Sequence, residues 1–184
     1  MNDTMKVVLA MVLVMLAGQA LASESSPYAG EEAGEIKALS ASEIDGLLSG
    51  RGMGYGRAAE LNEYPGPAHV LELQEELSLT AEQRQKTEAI FSQMETAAKN
   101  LGADLVAAER ALNEAFRSKE IGESSLSELV KNVGDIESRL REVHLRAHLQ
   151  QTKILSDQQI AKYIDLRGYG RAGHGSHHEN NHGE

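Results

Sequence analysis

The sequence predicts an all-α protein built on one long antiparallel helical hairpin with short flanking helices. Three observations point there. Apolar residues recur at alternating steps of four and three along two separate stretches, the signature of a buried seam on a helix face. Capping boxes, in which a Ser or Thr stands three residues before a Gln or Glu, open both stretches and recur after them. Finally, 41% of the 184 residues are hydrophobic, yet there are only five Tyr, two Phe and no Trp. A core built from Leu, Ile, Val, Ala and Met suits packed helices better than a β-sandwich.

Residues 1–22 read as a secretory signal peptide. Lys6 precedes the apolar run Val7 to Ala17, and Ala20-Leu21-Ala22 places small residues at the two positions a signal peptidase reads. Cleavage is expected after Ala22, with initiation at Met1 or, with a more usual basic start, at Met5. The alternative is an uncleaved anchor. The run from Val7 to Ala22 falls short of the roughly 20 apolar residues that span a bilayer, so no stable membrane insertion is expected after cleavage. A periplasmic location follows.

Residues 23–67 are expected to be a flexible N-terminal segment with one short helix. Ser23 to Glu35 is polar and rich in Gly, Ser and Glu, which marks a linker. Ser42 to Leu48 carries a short helical pattern. Gly50, Gly52, Gly54 and Gly56 then alternate; no strand precedes them and no Lys-Ser/Thr pair follows, so they read as a joint and not as a phosphate-binding loop. Pro65-Gly66-Pro67 closes the segment.

Residues 68–167 carry the helical domain. Met94, Ala98, Leu101, Leu105, Ala108, Leu112 and Ala115 form one seam within residues 81–118. A helix of that length runs about 57 Å, and Gly102 weakens it by about 1 kcal/mol without ending it. Leu126, Leu129, Val133, Ile136, Leu140, Val143 and Ala147 form the second seam, over 125–153, after a turn at Lys119 to Ser124. Capping boxes at Thr80/Gln83, Ser125/Glu128 and Ser156/Gln159 place helix starts near 81, 126 and 157. A thin hairpin with few aromatics buries little surface alone, so a homodimer is expected. Residues 168–184, made mostly of Gly, His and Asn, read as a disordered His-rich tail.

Composition also excludes functions. There is no Cys, which removes disulfides, thiol nucleophiles, Cys-ligated zinc and iron–sulfur clusters. A net charge of −10 argues against nucleic acid as a partner. No catalytic motif of the G-x-S-x-G or H-E-x-x-H kind occurs, so the chain is not expected to be an enzyme.

Two of the caps form a pair. Leu79, Thr80 and Gln83 read L-T-x-x-Q, and Leu155, Ser156 and Gln159 read L-S-x-x-Q, with Ser in place of Thr. In an all-helical, signal-bearing, Cys-free chain this arrangement resembles the LTxxQ proteins. These are the Spy/CpxP-like family of periplasmic chaperones and stress regulators, with heavy-metal-sensing relatives of the ZraP and CnrX type. The resemblance covers roughly residues 68–167. It implies a dimerising, non-enzymatic four-helix hairpin protomer that binds either metal ions or unfolded polypeptide.

Each activity has candidate residues. His144 and His148 lie one helical turn apart, where both imidazoles can reach one ion. His69 and Glu72, at the start of the domain, would complete a site if the fold brings them alongside. The alternative is a pair of half-buried polar residues at the seam edge. In the tail, His174, His177, His178 and His182 form a second, looser tract for Zn, Cu or Ni. For polypeptide capture, Leu145 and Leu149 lie off the seam beside Arg139, Arg141 and Arg146; the alternative for these is a dimer interface plus a solvated face. The first reading is thus a metal-binding stress-response protein that senses or buffers heavy metal, with a membrane-bound sensor or regulator as partner. The second is a chaperone or envelope-stress regulator whose partners are unfolded envelope proteins.

Overall fold

A computed structural model describes Ser26 and residues 28–169. Contacts divide the chain into two units, Met1–Ala33 and Gly34–Glu184. The first contributes a single 3-10 turn, Glu31–Ala33; all that follows concerns the second. The signal-peptide reading of residues 1–22 and the tail histidines His174, His177, His178 and His182 lie outside the described residues. Among those described, no helix is long and apolar enough to cross a membrane.

The second unit contains α1 (Ala41–Leu48), α2 (Arg57–Glu60), α3 (Pro67–Glu72), α4 (Ala81–Ser118), α5 (Glu123–Thr152) and α6 (Asp157–Arg167), with no strand among the described residues. Helices α4 and α5 form the expected hairpin. Every seam residue is buried or half-buried, and the tightest section joins Ala98, Leu101, Leu105 and Ala108 with Ile136 and Leu140 in one cluster. Toward the turn the burial thins, and Phe116 and Val130 stand exposed.

Two details depart from expectation. Helix α5 begins at Glu123 and not near 126, because Gly122 takes the extended N-cap conformation and Ser125 sits inside the first turn, its Oγ accepting from the Gly122 N–H. The chain reverses sooner because Lys119 adopts the left-handed conformation, φ 60°, at the end of α4. The other departure is in the lead-in. Ile36 and α1, read as part of a flexible segment, add Ile36 and Leu47 to the hairpin core. The reason is Gly102. A β-carbon there would fall 2.1 Å from the Leu47 carbonyl oxygen, so the missing side chain is what lets α1 lie directly on α4.

The caps do more than start helices. Gln83 closes the Thr80 box and Gln159 closes the Ser156 box. Their two amides also pair with each other, Nε2 to Oε1 at 2.9 and 3.1 Å in the two directions. Gln83 further donates to the Ile154 carbonyl and Gln159 to that of Leu77. The start of α4 and the start of α6 are therefore clasped where the hairpin opens. Beside the clasp Val70, Leu77, Leu155 and Tyr163 form a second small core. Deeper between α4 and α5, Gln151 Nε2 donates to Thr87 Oγ1 at 3.1 Å, both residues fully buried.

Candidate functional site

A groove of about 700 Å³ opens where the Gly50–Gly56 run, α3, α4 and α5 converge. His69, Glu72, His144 and His148 all line it. Four side chains singled out from two distant parts of the sequence thus line one groove. They are brought there because the short helix opened by Pro67 packs against both hairpin arms. Met53, Leu61, Phe91 and Met94 supply apolar surface to the same groove.

The two helix-borne histidines are buried, at 3% and 9% exposure, and not merely at the seam edge. The His144 ring stacks on Tyr55, with centroids 5.8 Å apart and planes 14° from parallel. Its Nε2 is buried and has no hydrogen-bond partner among the described residues. Burial first, and then the neighbouring His148, push its pKa below the ordinary imidazole value, which favours the neutral ring. In His148, Nδ1 donates to the Tyr64 carbonyl at 2.7 Å, so its lone pair lies on Nε2. A β-carbon on Gly56 would fall 2.5 Å from that Nε2 and one on Gly66 3.1 Å from it. Both glycines therefore let the backbone pack against the His148 ring, where a side chain would collide with it.

His69 is differently committed. Its Nε2 faces the Arg167 guanidinium at 3.3 Å, and since a guanidinium only donates, Nε2 accepts. The ring proton then sits on Nδ1, donated to Glu60 Oε1 at 3.1 Å. Glu60, at the end of α2, is the hub that sequence reasoning missed. Its Oε1 also accepts from Tyr163 and Tyr169 and faces Arg167 Nε at 3.5 Å, while His148 Nδ1 lies 3.6 Å from Oε2. Burial alone would raise its pKa; the hydrogen bonds from His69, Tyr163 and Tyr169 outweigh that and hold it at about 2. Tyr163, wholly buried, is shifted upward, by burial and then by Glu60. No local pattern marks Glu60, because its partners lie from nine to 109 residues away.

Comparison with known protein families, with curated proteins and with solved structures finds no match. The chemistry of the groove must therefore be read from its own atoms. Among the described residues no group of three or more His, Asp or Glu is arranged to hold a metal ion. His144 and His148 offer imidazole lone pairs to the groove; His69 spends its own on Arg167. The motif residues Leu79, Thr80, Gln83, Leu155, Ser156 and Gln159 are absent from the groove lining; Gln83 and Gln159 are engaged in the clasp, and Thr80 and Ser156 in their caps. The arginine group divides. Arg141 lies over the Tyr55 ring, 5.8 Å from its centroid, whereas Arg146 pairs with Glu142 and lines, with Arg139, a separate shallow depression. Leu149 is half exposed and Leu145 partly buried.

Proposed function

We propose that this protein is a non-enzymatic, Spy/CpxP-like envelope stress protein that binds Zn, Cu or Ni through His144 and His148. It would act in heavy-metal sensing, buffering or resistance. The observation that carries the reading is a buried, unpartnered His144 Nε2 in the same groove as a His148 whose tautomer is fixed by a backbone carbonyl. A metal-ligating histidine is commonly held in this way, its other N–H donated to a carbonyl or carboxylate. The donor set fits borderline divalent ions, which favour neutral imidazole. Bound there, the ion would supply a link between α5 and the groove wall, and its presence would be reported as a change in stability or in a partner's grip. Calorimetry with each ion tests this: exchanging both His144 and His148 for Ala should remove the tightest equivalent. Unchanged affinity in that variant would assign metal binding to the tail alone.

A second reading rests on the apolar wall. Met53, Leu61, Phe91 and Met94, framed by glycine backbone, offer an adaptable surface for an unfolded apolar segment. The excess of acidic charge then favours basic clients over acidic ones.

A further inference from the structure

We propose that the groove selects the soft ion Cu(I), with Met94 Sδ joining His144 Nε2 and His148 Nε2 as its third donor. This rests on the metal-binding reading above and adds to it the missing ligand and the ion that ligand favours.

The groove is short of hard donors. Structural zinc sites close at four ligands, yet among the described residues no group of three or more His, Asp or Glu is arranged around one point. His69 Nε2 accepts from Arg167, and Glu60 Oε1 is filled by bonds from His69, Tyr163 and Tyr169. Two buried atoms are left without a hydrogen-bond partner, His144 Nε2 and Glu60 Oε2. Glu60 Oε2 faces His148 Nδ1, at 3.6 Å, the nitrogen that carries the ring proton. A carboxylate so placed raises the basicity of the imidazole and does not itself reach for the ion. His144 Nε2 remains, and buried polar atoms left unpaired call for an explanation.

Sulfur is the donor that has not been counted. The chain has no Cys and six Met, of which Met1, Met5, Met11 and Met15 precede Ala22. The other two, Met53 and Met94, both line the groove. The hairpin register tells them apart. Gln151 on α5 donates to Thr87 on α4 across the antiparallel pair. His144 stands seven residues back along α5 and Met94 seven residues on along α4. Seven residues are about two helical turns, so each step returns to the same helix face and Met94 comes to lie opposite His144. One further turn along the same register, Ala98 and Leu140 share the hairpin core. Met53, by contrast, is committed elsewhere: a β-carbon on Gly46 would fall 2.2 Å from its Sδ, so that sulfur rests on α1.

The chemistry of the set is selective. Thioether sulfur favours Cu(I), whereas imidazole alone suits Zn, Cu and Ni alike. A soft monovalent ion is satisfied by three neutral donors, where Zn²⁺ calls for a fourth. Met94 is half-buried in the seam, and its unbranched side chain can shift the sulfur without moving the backbone.

The test titrates Cu(I) anaerobically into the full chain against a chromophoric Cu(I) chelator, with Zn²⁺ titrated in parallel. X-ray absorption at the copper edge then reads the neighbours of the first equivalent. In a chain without Cys, a sulfur neighbour can only be methionine. Expected are a sulfur neighbour in the wild type, its loss in Met94→Leu, and at least tenfold weaker Cu(I) binding in that variant with Zn²⁺ affinity unchanged. Leu keeps the volume of the seam position, and Met53→Leu should bind Cu(I) as the wild type does. A wild type without a sulfur neighbour, or Cu(I) affinity untouched in Met94→Leu, overturns the proposal while leaving the histidine pair as a metal site. Sulfur that persists in Met94→Leu overturns it by assigning the donor to another methionine. Equal losses of Cu(I) and Zn²⁺ in Met94→Leu overturn it as well, since they report damage to packing and not a lost ligand. A variant carrying His144→Gln and His148→Gln that binds both ions like the wild type overturns both this proposal and the functional reading beneath it.

Discussion

At the scale of single residues, the groove is organised by a buried carboxylate that stays charged. Glu60 ionises because His69, Tyr163 and Tyr169 donate to it and Arg167 stands beside it. Its folded pKa of about 2 lies below the unfolded value, so its contribution is complete above about pH 4.5 and is lost as the pH falls toward 2. The shift corresponds to about 3 kcal/mol. An acid titration of stability should show that loss, and Tyr163→Phe should lower stability at neutral pH by about 1–3 kcal/mol by removing one bond to a buried charge. His144 works in a different window. Its pKa is lowered on folding, so the unfolded chain takes up the proton first, and stability falls as pH drops below the usual imidazole value near 6.5. His144→Gln should abolish that part of the pH profile. Gly56→Ala should weaken metal binding about tenfold, because the backbone there, φ −82°, accepts a side chain but its β-carbon would fall 2.5 Å from His148 Nε2 and displace the ring. The histidines were legible because helix periodicity turns a spacing of four into a shared face. Glu60 was not, since a hub assembled from five distant positions leaves no periodic trace.

At the scale of elements, the capping residues were legible as helix starts, whereas their mutual pairing was not. A capping box is local and can be read from four residues; the Gln83–Gln159 pairing joins two boxes 76 residues apart. Replacing Gln83 by Ala removes its bonds to Gln159, Ile154 and Thr80 together and should cost about 2–3 kcal/mol. Thermal or denaturant unfolding measures it, and a loss below about 1 kcal/mol would show the clasp to be incidental. Gly102 reverses the ordinary expectation for a helix interior. Ala there should gain about 1 kcal/mol of helix propensity, yet it collides with the backbone of Leu47. A net destabilisation of about 1–3 kcal/mol is expected. Propensity alone could not expose this, because α1 is too short and too separate in sequence for its resting place to be read from periodicity.

At the scale of the whole molecule, the all-α hairpin follows from two seams whose every residue is buried or half-buried. The seam narrows toward the turn, where Phe116 and Val130 remain exposed. We expect a second copy of the chain to cover part of the hairpin, so sedimentation at micromolar concentration should give a dimer; a folded monomer there would remove that expectation. With a net charge of −10, any suppression of aggregation should be stronger for basic than for acidic clients and should weaken with salt. Anomalous diffraction from crystals grown with Zn²⁺ tests metal binding in the groove. A peak is expected about 2.0–2.1 Å from His144 Nε2, with His148 in the same ligand shell. A peak surrounded only by tail or surface histidines, with His144 Nε2 left bare, would contradict it.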